Sequence, residues 1–348
     1  MTEEKQRRAR SMVSRLAFAA TDDGLSSHLS SVRHLSRTDP SIRPFLVDAG
    51  LVPHLLLHLL HSPPTFQELA SATLLNLSIT SPESIMATPS LLSSLSHSLD
   101  SDTSSDTVLQ NVSATLYSLL SVDAYRPIIG SKKPIIKSLL SLLSSPASSA
   151  RTLKDSLKAL FALSLYALNR PVLVSLGAVP SLLALILREP RTGIVEDATA
   201  VVAQVAGCCE SVDAMRAAGG GGGGLGALVG LARGRGGKTR ENVAAALLNL
   251  ARSGGERAVG DIREVEGVVE VVREMVEAAG TSDRGRAKGE ELLKVLTADR
   301  RGRRCDCWFE DDCSTQPAVS TSFPSSSSFP SSSYSYSFSS SSASGDAF

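Results

Sequence analysis

The sequence predicts an all-α solenoid, a stack of about six or seven similar helical units. The chain has 348 residues, of which 42% are hydrophobic but only 4% aromatic. Leu, Ala and Val must therefore form its core, a composition typical of helices packed on helices. The heptapeptide "ATLLNLS" at residues 72–78 returns as "AALLNLA" at residues 245–251. The same apolar pattern recurs between and beyond these two copies, as in repeat proteins.

The last apolar residue of each copy serves as the anchor of its unit. The anchors are Leu35, Leu77, Leu119, Leu163, Val205, Leu250 and Val295. They are separated by 42 to 45 residues, so the sequence confines insertions to loops. Each unit contains a short helical turn and two longer helices, such as "PSLLALIL" and the helix that carries the anchor. Gly50 and Gly177, each followed three residues later by Pro, are typical of a helix end and the next helix start.

A period of about 40–47 residues with two or three helices is typical of armadillo or HEAT repeats. The segments "TRENVAAALLNLARSGGERA" and "FQELASATLLNLSIT" resemble the armadillo arrays of plant U-box ubiquitin ligases. The resemblance implies a right-handed armadillo superhelix over residues 9–298. We expect a flexible N-terminus over residues 1–8 and a disordered Arg/Cys-containing, then Ser-rich, tail over residues 299–348.

In that family a U-box usually precedes the array. Here only a few residues precede the first pair of helices, which leaves no room for a U-box. We therefore expect the substrate-recognition half of such a ligase without its catalytic half.

The anchor helix has one apolar face and one polar face. Positions minus seven, minus three and zero from the anchor share a helical face and are predicted to be core. Position minus one carries an amide in three units, at Asn76, Gln204 and Asn249. Such an amide can bond to the main chain of a bound peptide. The resemblance supports this, since armadillo proteins such as importin α and β-catenin carry an Asn ladder there, although Ala162 and Lys294 interrupt it here.

Further polar residues are predicted to line the same groove. Asn111 and Asn242 lie at minus eight, Arg151 and Lys238 at minus twelve, and Lys158 at minus five. This mixed, partly basic lining would attract an acidic or phosphorylated segment. The alternative is that these residues form an ordinary solvated helix face. The Trp that lies four residues before the Asn in importins is replaced by Ala or Lys, so recognition of a classical nuclear-import signal is not expected.

The sequence thus predicts a protein–protein interaction scaffold that binds an extended or helical segment of a partner. The alternative is a substrate-recognition component of a U-box-type ubiquitin ligase system. No enzyme, cofactor, metal or small-molecule substrate is expected. "ARGRGGKTREN" has Ala232 where a phosphate loop needs Gly, and His54, His58 and His61 lack an accompanying Glu or Cys.

The remaining features concern the kind of partner and the cellular location. The formal net charge is zero, which argues against nucleic acid or an anionic membrane as the main partner. The five cysteines lie late in the chain and give no disulfide framework. The N-terminus lacks the apolar core of a signal peptide, so we expect a cytoplasmic or nuclear protein.

Overall fold

The structure, a computed structural model, describes residues 2–218, 223–278 and 281–298. Within these ranges the chain forms α-helices, one 3₁₀ turn (Pro40–Ile42) and no β-strand. The helices are, in chain order, α1 (Thr2–Ala17), α2 (Asp22–Thr38), α3 (Arg43–Asp48), α4 (Leu51–His61), α5 (Pro64–Ser78), α6 (Pro82–Met86), α7 (Leu91–Asp100), α8 (Asp106–Leu119), α9 (Tyr125–Gly130), α10 (Lys133–Ser144), α11 (Ala150–Ser164), α12 (Asn169–Ser175), α13 (Ala178–Arg188), α14 (Thr192–Val205), α15 (Glu210–Ala217), α16 (Gly223–Gly234), α17 (Gly237–Glu264), α18 (Val268–Glu277) and α19 (Asp283–Thr297).

The helices group into seven units. Units two to six each contain a short first helix, then a longer second and third helix, as in α6, α7 and α8. Unit one consists of α1 and α2. In unit seven the first helix is the end of α17, which is kinked at Gly255. The predicted unit of one short and two long helices is confirmed.

Two rows of helices run along the array. Each third helix packs against the third helix of the next unit, in the series α2, α5, α8, α11, α14, α17 and α19. The second helices form a parallel row, from α1 and α4 to α16 and α18. Neighbouring units thus share one continuous apolar layer, as in an armadillo solenoid. The predicted all-α armadillo fold is confirmed.

The anchor stripe lies in this layer. Leu77, Leu119 and Leu163 are fully buried, and Leu250 is 1% exposed. The residues at minus seven and minus three of these helices are buried with them. These residues are Ala70, Leu74, Val112, Leu116, Ser156, Leu160, Val243 and Leu247. The prediction that this face is core is therefore correct.

The anchor predicted for the last unit is displaced by one residue. Val295 is only half-buried, whereas Leu296 is 5% exposed. The N-caps of the third helices support the same assignment. In units one, three and four a capping hydroxyl lies fourteen residues before the anchor, and in unit seven this spacing leads from the cap to Leu296. The capping side chains are Thr21, Ser105, Ser149 and Ser282. Leu296 is therefore the anchor of unit seven.

The N-terminal boundary also differs from the expectation. Residues 2–8, expected to be flexible, form the first turns of α1. Lys5 explains part of this order, since its ammonium donates to the Ser41 hydroxyl and lies 3.9 Å from the Asp39 carboxylate. The tail predicted over residues 299–348 lies outside the described residues.

The junction between first and second helices contains a left-handed residue in units two, three, five and seven. Gly50, Gly177 and Gly267 occupy it with φ of 84°, 88° and 70°. In unit three the same junction is made by Ser90, with φ of 65°. The two punctuating glycines predicted from the sequence therefore have the expected role, and Ser90 takes a conformation that disfavours side chains.

Polar side chains join the starts of adjacent third helices. The Ser105 hydroxyl donates to Glu68 of the preceding unit at 2.7 Å. The Thr152 hydroxyl donates to Asp106 at 2.7 Å. The Ser282 hydroxyl donates to Glu241 at 2.8 Å. Each of these hydrogen bonds pairs a residue of one unit with a carboxylate of the unit before it.

Candidate functional groove

The exposed sides of the third helices form one surface along all seven units, and we call this surface the groove. In an armadillo solenoid the third helices line the concave side. The residues that lie on the groove are those at minus one, minus five, minus nine and minus twelve from each anchor, where side chains alternate with the buried stripe. The side chains at these positions therefore determine the chemical character of the groove.

The amides at minus one are half-buried and tied to neighbouring helices. Asn76 Nδ2 donates to Ser36 Oγ of the preceding unit at 3.0 Å. Asn249 Nδ2 donates to the Ala203 carbonyl of the preceding unit at 2.7 Å. Gln204 instead accepts from Arg170 at 3.4 Å. All three side chains are half-buried on the exposed side of their third helices, and the two asparagines also connect adjacent units.

The amides at minus eight lie deeper than predicted. Asn111 is 9% exposed, and its Nδ2 donates to Ser71 Oγ at 3.0 Å. Asn242 is 4% exposed and donates to the Glu196 carbonyl at 2.9 Å and to Thr199 at 3.2 Å. These two asparagines therefore fill the seam between third helices, because adjacent helices approach closely at minus eight. Their expected place on the groove surface is corrected accordingly.

The predicted basic residues lie on the groove around unit four. Arg151 is exposed and Lys158 is half-buried on the same side of α11. Lys158 Nζ lies 3.1 Å from Asp155 Oδ1 and 6.0 Å from the centre of the Tyr117 ring. Lys238 is exposed on the first turn of α17. The structure thus places cations of units four and six on either side of α14.

The sequence reading missed Lys154, which lies on the same side of α11. It is half-buried, and a Cβ added at Gly193 would lie 3.3 Å from its Nζ. Lys154 therefore lies across the first turn of α14. Its spacing of three and four residues from Arg151 and Lys158 was the signal that could have identified it.

Asp197 on α14 faces these cations. Burial raises the pKa of this carboxyl from 3.8 to about 6, although Lys154, Lys158 and Lys238 act in the opposite direction. The adjacent carboxylate of Glu196 also raises the pKa. The loss of hydration thus outweighs the attraction of three lysines.

Three arginines on the first helices stabilise the ends of the preceding third helices. Arg43 Nε donates to the Ser36 carbonyl at 2.6 Å, and Arg170 Nε donates to the Ser164 carbonyl at 2.9 Å. Arg126 Nε donates to the Leu120 carbonyl at 3.3 Å. In each case the acceptor follows the anchor by one residue, where a helix leaves carbonyls without internal partners. These arginines maintain the spacing of units rather than line the groove.

Other chemistry is sparse in the described ranges. They contain no cluster of three or more His, Cys, Asp or Glu side chains able to hold a metal ion. His58, one of the three histidines on α4, has its Nδ1 3.0 Å from the Ser62 hydroxyl. Burial and the neighbouring His54 lower its pKa. The C-terminal cysteines Cys305, Cys307 and Cys313 lie outside the described residues.

No single helix among the described residues has the length and apolar composition needed to cross a membrane. Two bent pairs, Pro40–Asp48 with Leu51–His61 and Asn169–Ser175 with Ala178–Arg188, satisfy those criteria only when each pair is joined. Both pairs are the first and second helices of units and contribute buried residues to the apolar layer.

The sequence matches no protein-family model. It is similar to "U-box domain-containing protein 16" of Arabidopsis thaliana, with 30% identity over 267 residues. The match covers 76% of this chain but only 38% of that protein, so the chain spans well under half the length of the curated relative it matches.

Solved structures with the same fold are more distant in sequence. An engineered protein superposes with a TM-score of 0.72 at 20% identity, covering 83% of this chain and 68% of the other. A structure from a study of a phosphorylation switch between cadherin and β-catenin has a TM-score of 0.67 at 15% identity, covering 85% and 53%. Computationally designed armadillo repeat proteins for modular peptide recognition have a TM-score of 0.59 at 20% identity, covering 69% and 99%. These likenesses show the armadillo fold.

Proposed function

We propose that this armadillo-repeat chain is a binding scaffold that holds an extended or helical segment of another protein in its groove. The observation that carries the proposal is the pair of amides, Asn76 and Asn249, at equivalent places in units two and six. Their Nδ2 bonds to the preceding units hold each carboxamide in one orientation. Among the described residues no donor is bonded to either carboxamide oxygen, which suits these oxygens to accept from peptide N–H groups.

Several units must act together. One neutral hydrogen bond contributes about 0.5–1.5 kcal/mol, whereas micromolar binding requires about 8 kcal/mol. A solenoid repeats similar contacts along its length and can therefore sum many weak interactions. The designed armadillo proteins similar to this chain are described as made for modular peptide recognition, which supports the same use of the groove here.

We further propose that the bound segment is acidic or phosphorylated. Arg151, Lys154 and Lys158 lie on one side of α11, and Lys238 lies on α17 on the other side of α14. Charge-assisted hydrogen bonds to carboxylates or phosphates are stronger than neutral ones. This cluster would therefore favour an anionic segment over a basic one.

Site-specific photocrosslinking tests the location of binding. A photoreactive residue at Ala72, at minus five in α5, should capture a partner protein in cell extract. The same residue at Leu57, which is 54% exposed on the second helix α4, is the matched control. Capture from Leu57 but not from Ala72 would overturn the assignment of the groove as the binding surface.

Charge reversal tests the character of the segment. We expect Lys154→Glu with Lys158→Glu to reduce capture from Ala72 at least tenfold, since two attractions become repulsions. Lys137→Glu, on an exposed position of the second helix α10, should leave capture unchanged. Equal losses in both variants would show that the cluster has no specific part in binding.

The alternative proposal is that this chain supplies substrate recognition to a U-box-type ubiquitin ligase system and has no catalytic activity of its own. The similarity to a plant U-box protein over 267 residues favours it. Purified chain, ubiquitin-activating and conjugating enzymes, and a separate U-box ligase should together modify the captured partner. The ligase without this chain should not, and product formed by this chain with the conjugating enzyme alone would contradict the non-enzymatic assignment.

The cytoplasm and the nucleus are the proposed places of action. A fluorescent fusion of the full chain should fill one or both compartments. Accumulation at a membrane or in the secretory pathway would contradict this.

A further inference from the structure

The centre of the groove contains an unusual pairing of a half-buried acid with several cations. Asp197 is half-buried at minus eight on α14, next to the groove positions, and Lys154 and Lys158 of α11 and Lys238 of α17 act on its charge. The neighbouring groove positions on α14 are Gly193 and Ala200, which carry little or no side chain. This part of the groove therefore contains small residues with charged side chains around them.

We propose that these residues form a subsite for one doubly charged phosphoryl group, and that Asp197 takes up a proton when the group binds. The inference rests on the proposed function in one respect, since the phosphoryl group would belong to a phosphorylated side chain of the bound segment. The subsite itself is a property of this chain and can be tested with a simple anion.

The charges around Asp197 favour a dianion coupled to a proton. The helix α11 contributes Arg151, Lys154, Asp155 and Lys158, and α17 contributes Lys238. The helix α14 itself contributes Glu196 and Asp197. With Asp197 ionised these four cations and three anions leave one net positive charge. With Asp197 protonated they leave two, which match the two negative charges of a phosphoryl group.

The other charged residues near α14 are engaged elsewhere. Glu241 of α17 lies 3.6 Å from Lys288 and accepts from Ser282. Arg188 of α13 donates to the Leu143 and Ser144 carbonyls of α10. Arg170 of α12 donates to the Ser164 carbonyl and Gln204. Lys154, Lys158, Lys238 and Glu196 are therefore the charged side chains that act on the Asp197 carboxyl, and Arg151 and Asp155 lie close to the two lysines on α11.

Protonation also changes the hydrogen-bonding role of Asp197. An ionised carboxylate only accepts and would repel phosphoryl oxygens, whereas a protonated carboxyl can donate to one of them. A singly charged carboxylate ligand would be balanced without the proton. A larger proton uptake thus distinguishes a phosphoryl group from an Asp or Glu side chain of the partner.

The Asp197 carboxyl can take up a proton near neutral pH. Because burial holds the pKa of Asp197 at about 6 before any ligand binds, an added dianion needs to raise it only slightly further. Binding should therefore strengthen as the pH falls from about 7.5 to about 5.5. Sulfate is the suitable probe, because it keeps two charges throughout this range and so adds no titration of its own.

The experiment follows the carboxyl ¹³C resonance of Asp197 by NMR in the full chain. Its resonance is identified by its loss in Asp197→Asn. We expect sulfate, compared with chloride at equal ionic strength, to raise the titration midpoint, and acetate, with a single charge, to raise it less. If the rise is about one pKa unit, sulfate binds about sixfold tighter at pH of about 5.5 than at about 7.5. An unchanged midpoint in saturating sulfate would overturn the proposal.

Variants separate a specific subsite from general screening. Lys154→Gln with Lys158→Gln should abolish the sulfate-dependent shift, whereas Lys137→Gln on α10 should retain it. Asp197→Asn should bind sulfate at about pH 7.5 nearly as tightly as the wild type does at about pH 5.5. A shift that survives the double substitution would refute the subsite. Partner capture from Ala72 with no sulfate effect would overturn this inference while leaving the proposed function standing.

Discussion

Replacing Asn249 by Ala should destabilise the array as well as weaken binding. The Asn249 Nδ2 donates at 2.7 Å to the Ala203 carbonyl, which lies in the last turn of α14. Carbonyls in the last turn of a helix lack internal partners, so the substitution leaves a partly buried acceptor without its donor. A neutral hydrogen bond contributes about 0.5–1.5 kcal/mol and an orphaned buried group costs about 1–3 kcal/mol, so we expect a loss of about 1–2 kcal/mol.

Asn76→Ala should have a similar effect, because Asn76 bonds across a unit boundary to Ser36. The two sites lie four units apart and should be nearly additive, so the double variant should lose about 2–4 kcal/mol. Urea unfolding followed by circular dichroism measures this loss. The matched control is Ser118→Ala, at the equivalent position in unit three. Among the described residues the Ser118 side chain makes no hydrogen bond to the preceding unit.

If the two amides only lined the groove, the double variant would bind less without a change in stability. The contacts now predict both effects, so binding must be compared under conditions where each variant is fully folded. If Asn249→Ala unfolds at the same urea concentration as Ser118→Ala, the amide does not stabilise the boundary and the reasoning fails.

Burial, backbone angle and charge determine the expected stability changes of three further substitutions, none of which involves the amides. Leu77→Ala removes a fully buried anchor and should cost about 2–5 kcal/mol in urea unfolding; a smaller cost would mean that the stripe is not core. Ser90→Gly relieves a φ of 65° and should raise the unfolding free energy by about 0.5–1 kcal/mol, so a lower urea midpoint would contradict the assigned backbone. The pKa of Asp197 in the folded chain is about 6, above the ordinary 3.8. Its ionisation therefore lowers the free energy of unfolding as the pH rises from the lower of these two values to the higher, and the full loss is present above the higher value. Asp197→Asn should therefore add about 1–2 kcal/mol near pH 7.5, after allowance for solvent screening, and almost nothing near pH 4; equal gains at both would refute the shift.

The fold could be predicted from the sequence because its strongest signal is local and repeated. Leu77 and Leu250 lie in nearly identical segments, and burial at one predicts burial at the other. The register failed only in unit seven, where Leu292, Leu293, Val295 and Leu296 crowd four apolar residues into one helical turn. Several apolar stripes are possible there, and the Ser282 cap resolves them.

The groove was less predictable because it depends on contacts between units. The position of an amide along its helix places it near the groove but does not reveal its hydrogen-bond partner. Asn111 and Asn242 are buried because neighbouring third helices meet at their position. Asp197 is recognisable in the sequence only as a polar residue of a third helix, because its raised pKa arises from burial that exists only once the helices have packed.

The hydrogen bonds between the starts of third helices have a consequence for engineering. Glu68 with Ser105, and Asp106 with Thr152, are matched pairs whose two members belong to different units. Moving one unit to another place in the array would therefore break a pair at each of its borders, even though its apolar stripe would still fit. Units of this chain are thus not interchangeable modules, and shuffled or shortened versions require both members of each pair to be moved together.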